Sequence, residues 1–337
     1  MIATSTILFG VLGLALLGVT ILSILLWATN PPKARLRTKN EEFYTHATTD
    51  KREPFPSLLD DSSTSKPSIS ISVIVPAYNE TARLPAMLDE AHEYLDQRAA
   101  KDAAFAYEII VVDDGSKDGT SKVALDIARN RAKTTKPAEW ARKELRVLTL
   151  EKNRKKGGAV TQGMLVSRGE KLIFVDADGA TKFSDIEKLE KDLDRVAKKG
   201  EGVAVGSRAH MVNTEAVVKR SFVRNFLMYG FHTILYILGI SSIKDTQCGF
   251  KMVTRNAGRK IFPNMHTEGW IFDVEMLLLA MWAGVPIAET PVTWHEVPGT
   301  KMSLISDSVV MLLDLFRIRL NYILGIWKIA TPRMKSN

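Results

Sequence analysis

The chain has 337 residues, of which 45% are hydrophobic and 25% are charged, and this composition excludes a largely disordered protein and a bundle of many membrane spans. Its formal net charge of +8 favours an anionic partner such as nucleic acid, a lipid headgroup surface or a phosphorylated substrate, without choosing among them. The single cysteine, Cys248, excludes an intrachain disulfide and the spacing of structural zinc sites, so we expect the globular part in the cytosol.

The N-terminus predicts one membrane span. The first 32 residues carry no charged side chain, and residues 7–28 form an apolar run long enough, at about 1.5 Å per residue, to cross about 30 Å of hydrocarbon. A cleaved signal peptide would need a basic start and a shorter apolar region. Basic residues follow the run directly at Lys33, Arg35, Arg37 and Lys39. The positive-inside rule then predicts a transmembrane anchor over residues 1–30, with the rest of the chain in the cytosol.

Residues 31–67 are polar and rich in Ser, Thr, Asp and Pro, which predicts a linker or a loosely packed collar. In the core that follows, over residues 68–212, short β-branched runs alternate with helical patterns. The runs lie at residues 70–75, 108–112, 146–150, 171–175 and 203–205, and the helical patterns lie at 83–98, 119–132, 158–168 and 185–198. This alternation predicts an α/β fold with a mainly parallel sheet and helices on both faces. The sequence from Ser184 to Glu187 is a capping-box pattern, which predicts a helix start.

The character of the sequence changes after residue 212. Residues 222–240 and 303–327 are long, apolar and aromatic, yet both are interrupted by charged residues, so neither is a clean membrane span. Two interpretations stay open: helices packed in the core, or amphipathic helices lying in the membrane interface.

Two carboxylates, Asp176 and Asp178, follow a fully apolar strand with only Ala177 between them. The carboxyl ends of strands are where open α/β sheets bind ligands. Two like charges there need a compensating cation, and hard oxygen ligands suit Mg²⁺ or Mn²⁺, which then also binds substrate phosphates. The alternative is a chance D-x-D triplet in a surface loop.

Polar side chains also follow two other predicted strands. Asp113 and Asp114 end one strand, and a carboxylate there can accept hydrogen bonds from a nucleoside, although Asp-Asp-Gly-Ser is equally suited to a plain turn. Pro76 is expected to end the first strand, and Tyr78 and Glu80 after it are candidates to stack on and hydrogen-bond a base. The three strand ends therefore predict one nucleotide site.

A basic, glycine-containing loop precedes the third predicted helix. Lys156 and Gly157 belong to a run of four cations and two glycines over residues 152–158, which suits a diphosphate at a helix N-terminus, unless it is only a solvated charge run. This loop does not fit the P-loop pattern, and no G-x-G-x-x-G follows the first strand. Phosphoryl and hydride transfer are therefore disfavoured.

Six motifs in order resemble the family 2 glycosyltransferases that act on polyprenyl phosphates. They span about residues 69–295 and are Val75-Pro-Ala-Tyr-Asn-Glu80, Val112-Asp-Asp-Gly-Ser116, Asp176-Ala-Asp178, Gly206-Ser-Arg208, Asp245-Thr-Gln-Cys-Gly-Phe-Lys251 and Phe272-Asp-Val-Glu275. The resemblance implies a GT-A-type, Rossmann-like fold, UDP-glucose as donor, dolichyl phosphate as acceptor, and Mg²⁺ or Mn²⁺. It also implies a single-pass protein at the cytosolic face of the endoplasmic reticulum membrane, serving protein N-glycosylation.

The resemblance also implies roles for residues. Asp114 would bind the nucleoside, and Asp176 and Asp178 the metal and the sugar diphosphate, with the other strand-end residues lining the nucleotide-sugar site. Arg208, Asp245 and Lys251 would form the reaction centre together with Asp178. Apart from the resemblance, two dianionic partners repel unless cations lie between them, and this predicts that the acceptor phosphate is bound by Arg208, Lys251, Arg220 and Arg224. Residues 213–302 would then be the acceptor side of the catalytic domain, and 303–337 an amphipathic membrane-associated segment. Some mannosyl relatives have a further polar ligand where this chain has Ala180, so more of the metal shell would be water or substrate oxygen.

The sequence predicts a single in-line displacement with inversion, and two alternatives remain. One is the same chemistry with GDP-mannose. The other is a non-catalytic membrane tether that binds anionic ligands, which leaves the acidic pair at an apolar strand end unexplained. Nucleic acid is not an expected partner, and the sequence leaves open whether the chain forms a homo-oligomer.

Overall fold

The computed structural model describes residues 12–23, 37–60, 69–211, 243–297 and 304–329. Residues 12–23 form the first helix, α1, with exposed side chains, inside the predicted anchor. No helix within the described ranges is both long and apolar enough to cross a membrane. The rest of the predicted span, and the segment at 222–240, lie outside the described residues.

The centre of the fold is a seven-stranded sheet in the order β5-β4-β3-β6-β8-β7-β9, beside a separate two-stranded hairpin, β1-β2. Every pairing in the large sheet is parallel except those of β8, which runs antiparallel to both neighbours. The strands are β1 Phe43–Thr45, β2 Arg52–Pro54, β3 Ile71–Ala77, β4 Tyr107–Asp113, β5 Lys143–Thr149, β6 Lys171–Val175, β7 Val203–Ser207, β8 Phe250–Thr254 and β9 Ile287–Pro291. The expectation of a mainly parallel sheet is confirmed.

Helices cover both faces of this sheet, as expected. After α1 they are α2 Leu84–Lys101, α3 Thr120–Thr134, α4 Pro137–Trp140, α5 Lys155–Leu165, α6 Ile186–Val196, α7 Arg255–Ile261, α8 Phe272–Trp282 and α9 Leu304–Ile323. One apolar core packs α2, α3 and α6 against the sheet, and the other packs α5, α7, α8 and α9. Alternate residues of the inner strands contribute to the two cores, which explains why these strands are largely apolar on both faces.

Three local predictions need correction. Pro76 does not end its strand: β3 continues to Ala77, because β3 pairs with β6 only as far as Ile74 and Pro76 needs no amide there. The predicted capping box at Ser184 is wrong, since Phe183–Asp185 forms a 3-10 turn and the residue before α6 makes no side-chain cap. The helix predicted over residues 158–168 is α5, which begins at Lys155, so basic side chains lie in its first turn.

The described part of the predicted linker, residues 37–60, is folded against the domain; we call these residues the collar. Its hairpin β1-β2 lies beside β5, where the rings of Tyr44 and Phe55 each lie 5.3 Å from the Arg146 guanidinium. Leu58 is fully buried, and its amide donates to the Leu165 carbonyl at 2.8 Å. These contacts between distant parts of the chain give no local apolar period, which is why the sequence pattern predicts a linker.

Candidate active site

The carboxyl ends of the parallel strands meet at one edge of the sheet, and the predicted polar residues follow them there. Asp114 follows β4, Asp176 follows β6 and Arg208 follows β7. Because β8 is antiparallel, the loop before it, with Asp245, reaches the same edge. The fold thus gathers residues from four motifs into one candidate site.

The acidic pair lies against a lysine. Asp176 Oδ1 is 2.6 Å from Lys156 Nζ in the first turn of α5, while Ala177 is buried in the sheet core. Two glycines permit this approach: a Cβ on Gly249 would overlap the Asp176 carboxylate, and a Cβ on Gly157 would overlap the Phe272 side chain. The basic loop therefore brings a cation to the acidic pair.

The electrostatics at the pair suit a cationic ligand. Burial and the neighbouring Asp176 charge raise the pKa of Asp178. Burial opposes the charge of Lys156, but Asp176 and Asp273 raise its pKa overall. Within the described ranges, no group of three or more His, Cys, Asp or Glu side chains is placed to hold a metal ion. Two carboxylates fit a partly hydrated divalent ion, which would take its remaining ligands from substrate phosphate and water.

Asp114 lies under the basic loop. Its carboxylate accepts a hydrogen bond from the Arg154 amide at 2.6 Å, and its own amide donates to the Ala77 carbonyl at 2.8 Å. Burial, together with the nearby charges of Glu268 and Asp113, raises the pKa of Asp114 to about 7. A desolvated carboxylate of this kind is suited to accept a hydrogen bond from a ligand that enters the site.

Asp113 is used by the turn itself. Its Oδ1 accepts the Ser116 amide at 2.9 Å, and its Oδ2 accepts the Ser121 amide at 3.1 Å and the Ser121 hydroxyl at the start of α3. The turn and the nucleotide interpretations of Asp-Asp-Gly-Ser therefore divide between the two residues: Asp113 closes the turn and Asp114 lies in the site.

The loops after β3 and β4 are tied together. Asn79 has a positive φ of 53°, its amide donates to Ser116 Oγ at 2.8 Å, and its side-chain oxygen accepts the Lys117 amide at 2.9 Å. Tyr78 is exposed beside this junction. Glu80 is buried and pairs with Arg83 at 2.6 Å, and besides this hydrogen bond the charges of Asp178 and Asp176 raise the pKa of Arg83. Arg83 is thus a second cation near the acidic pair.

Arg208 and Asp245 form a bidentate pair. The Arg208 Nε and Nη2 groups donate to the two Asp245 oxygens at 2.7 and 2.9 Å, and the Arg208 amide donates at 2.9 Å. The guanidinium also lies 5.6 Å from the Trp294 ring. A guanidinium has five N–H groups and the pair uses two of them. With 34% of its side chain exposed, Arg208 keeps an open face at the site.

Lys251 lies differently from expectation. Its side chain is fully buried, with Nζ 2.6 Å from Asp273 and 2.5 Å from the Cys248 carbonyl. A lysine held in this way cannot reach an acceptor phosphate directly. Its charge is used in the buried ion pair with Asp273. Arg220 and Arg224 lie outside the described residues.

Two functional candidates escape sequence reasoning. Glu289, on β9, accepts the Ser207 hydroxyl at 2.6 Å and the Asp245 amide at 3.0 Å through Oε1, and the Lys244 amide at 3.1 Å through Oε2. Asp273 stands in a quoted motif, but nothing in the sequence pairs it with Lys251. For Glu289, the one signal in the sequence is an acidic residue two positions before Pro291.

The family model described as glycosyl transferase family 2 matches residues 72–262. This match covers more than half of the chain and includes the residues gathered at the site, up to β8. The chain therefore belongs to glycosyl transferase family 2, and the described fold is a GT-A-like α/β fold.

Within that family, the chain is similar over most of its length to dolichyl-phosphate β-glucosyltransferases. It is 45% identical to the one from Dictyostelium discoideum, over 87% of this chain and 86% of that protein. The human one is 43% identical over 95% of both chains, and the Saccharomyces cerevisiae one 49% identical over 77% of both. The resemblance stated from the motifs is confirmed. Among solved structures, glucosyl-3-phosphoglycerate synthase of Mycobacterium tuberculosis aligns with a TM-score of 0.48 and 18% identity, covering 74% of this chain and 81% of that one.

Proposed function

We propose that this chain transfers glucose from UDP-glucose to dolichyl phosphate with inversion, giving dolichyl β-D-glucosyl phosphate for protein N-glycosylation. The observation that carries the proposal is the acidic pair at the end of β6, contacted by Lys156 at 2.6 Å and set beside Asp114 in one sheet edge. The named activity of the similar proteins supports the glucosyl donor and the lipid acceptor. A GDP-mannose donor has no such support.

The donor is bound by the β3, β4 and β6 ends. Asp114 accepts a hydrogen bond from the uracil imide, and Tyr78 lies beside the base. Lys156, in the first turn of α5, meets the diphosphate together with the amides of that helix end. Asp176 and Asp178 would hold Mg²⁺ or Mn²⁺, and such an ion, when bound, neutralises charge on the departing diphosphate.

The reaction is one displacement at the anomeric carbon. An oxygen of dolichyl phosphate forms the new bond to that carbon as its bond to the UDP oxygen breaks, so the α donor gives a β product. A phosphate monoester has a second pKa near 6 and already offers an anionic oxygen at neutral pH, so no general base is needed. The chain's part is to position and neutralise.

The acceptor phosphate is bound by Arg208, whose geometry Asp245 fixes. The bidentate pair holds the guanidinium plane in place and leaves three N–H groups for phosphate oxygens. Asp245 therefore orients rather than deprotonates. Glu289 in turn supports Asp245 from β9.

The membrane part of the proposal combines the N-terminal anchor with α9. This helix buries Met311, Leu315 and Ile318 in the core, which supports the core interpretation for that face. Its other face exposes an apolar stripe: Val309, Leu313, Phe316 and Ile323. Exposed apolar side chains in a helix stripe are suited to the lipid interface. The two interpretations therefore apply to two faces, with the catalytic domain at the cytosolic side of the endoplasmic reticulum membrane.

A donor competition assay tests the function. The full chain in detergent receives dolichyl phosphate with UDP-glucose or GDP-mannose labelled in the sugar, and transfer into lipid extract is counted, with Asp178→Ala as the inactive control. Transfer from UDP-glucose alone is the expected result. Transfer from GDP-mannose would replace the donor, and no transfer from either would favour the non-catalytic tether.

A further inference from the structure

Glu41, in the collar, is a buried charged residue outside the motifs that form the candidate site. Only 1% of its side chain is exposed, and its Oε2 lies 2.6 Å from Nη2 of Arg154, of which 3% is exposed. The partners are 113 positions apart in the sequence. The same carboxylate accepts the Glu151 amide at 2.9 Å through Oε1 and the Thr38 amide at 2.9 Å through Oε2. A buried carboxylate with this many partners holds a specific geometry.

The partner of Glu41 stands in the donor loop, which we define as residues 150–156. The Arg154 side chain turns to Glu41, while the Arg154 amide donates to Asp114 at 2.6 Å. Two residues later, Lys156 reaches Asp176. The donor loop therefore contacts the collar through the Arg154 side chain, and it contacts the nucleotide-sugar site through the Arg154 amide and Lys156.

A second contact fixes the loop to the collar. The Asn40 side-chain amide donates to Glu151 Oε1 at 2.8 Å, and Arg52 on β2 donates to the Asn40 carbonyl at 3.3 Å. Space around the loop is also tight, because a Cβ on Gly115 would lie 3.1 Å from the Asn153 amide. A shift of the loop away from the collar would move the Arg154 amide relative to Asp114.

We propose that Glu41 is a positioning residue for donor binding: through Arg154 it sets the donor loop, and with it the groups that meet the nucleotide diphosphate. The collar is then part of the donor site, although it touches no substrate. The inference rests on the proposed nucleotide-sugar site and adds a residue that the family motifs do not contain.

The test is direct nucleotide binding to the full chain in detergent, measured by titration calorimetry with UDP and separately with GDP, both with Mg²⁺. Glu41→Gln removes the carboxylate charge that pairs with the buried Arg154 guanidinium, so we expect about tenfold weaker UDP binding and a similar rise in KM for UDP-glucose. KM for dolichyl phosphate should stay within about twofold. The matched control is Glu42→Gln, whose side chain is exposed next to Glu41, and it should leave UDP affinity unchanged.

A double-mutant cycle identifies the route. If Glu41 acts through Arg154, the double variant Glu41→Gln with Arg154→Gln should bind UDP no more weakly than the worse single variant. Glu41→Asp keeps the charge on a shorter side chain and should weaken UDP binding less than Glu41→Gln does. If Glu41→Gln does not fold, the UDP affinity of Glu41→Asp is compared with that of the wild type instead.

Three results would overturn the proposal. They are unchanged UDP affinity in a folded Glu41 variant, additive losses in the cycle, and equal rises of both substrate KM values, which would mean general destabilisation. Wild-type preference for GDP would instead refute the proposed donor, and the variant-to-wild-type ratio for GDP would still test Glu41.

Discussion

Replacing Asp114 with Asn separates the cost of a buried acid from its use in binding. The pKa of Asp114 is raised from 3.8 to about 7 by burial and by nearby acids, which corresponds to about 4 kcal/mol of extra cost for ionising it in the folded chain. Because the folded pKa is raised, the folded chain is most stable with respect to this group below about pH 4, where the acid is neutral in both states. That stability is lost progressively as pH rises from about 4 through about 7. Asn carries no such cost and can still accept the Arg154 amide.

Relative to the wild type, Asp114→Asn should therefore gain about 2–3 kcal/mol of stability as pH rises from 5 to 7, with little further gain between pH 7 and 8. At about 2–4 °C per kcal/mol, a thermal shift assay at pH 5, 6, 7 and 8 resolves this trend. Binding of UDP should weaken roughly tenfold, because a hydrogen bond to a neutral amide replaces one to a carboxylate. Wild-type affinity should itself rise with pH up to about 7, as Asp114 ionises.

The control is Asp113→Asn in the same turn. Asp113 accepts three hydrogen bonds within the turn and at the start of α3, so its substitution should destabilise the chain. The reasoning is refuted if Asp114→Asn binds UDP as tightly as the wild type, or if its stability gain does not grow between pH 5 and pH 8.

The remaining predictions concern the reaction centre. Asp178→Ala should lower kcat by about a thousandfold or more while leaving the melting temperature near that of the wild type, since it removes a half-buried carboxylate from a strand end; normal turnover with the same metal requirement would exclude the site. Arg208→Lys keeps the charge but loses the planar fork, so it should impair the use of the acceptor much more than the binding of the donor. The control, Arg195→Lys in an exposed ion pair, should change neither acceptor use nor donor binding. Weakened donor binding with unchanged single-turnover use of acceptor would move Arg208 to the donor side. Glu289→Gln should lower turnover on dolichyl phosphate and cost about 1–2 kcal/mol of stability, measured by urea unfolding; unaltered acceptor KM and kcat would remove Glu289 from the acceptor side.

The sheet edge could be predicted because its signals are local. The strands that became β3, β4 and β6 are largely apolar runs, and polar residues follow each of them closely. Parallel strands between helices place such ends at one edge of the sheet, so the placement of Asp114 and Asp176 at the same edge needs no further information. The departures are small there: β3 passes through Pro76 because its second neighbour has already ended.

The missed features all depend on partners distant in sequence. β8 carries Lys251 in its middle, which is unfavourable in a buried strand until Asp273 on α8 is placed beside it. The collar has no apolar period, and its position depends on Glu41 meeting Arg154. Periodicity describes one segment at a time, so it cannot supply such pairs.

One inverting displacement from UDP-glucose to dolichyl phosphate fixes both the sugar and the anomeric configuration of the product, so the structure of the product is the measurement to make. The full chain is incubated with dolichyl phosphate and an equimolar mixture of UDP-glucose and GDP-mannose, and the glycolipid is analysed by NMR for sugar identity and anomeric configuration. We expect dolichyl β-glucosyl phosphate as the only glycolipid product. An α-linked glucose would contradict the single displacement, and a mannosyl product would contradict the donor.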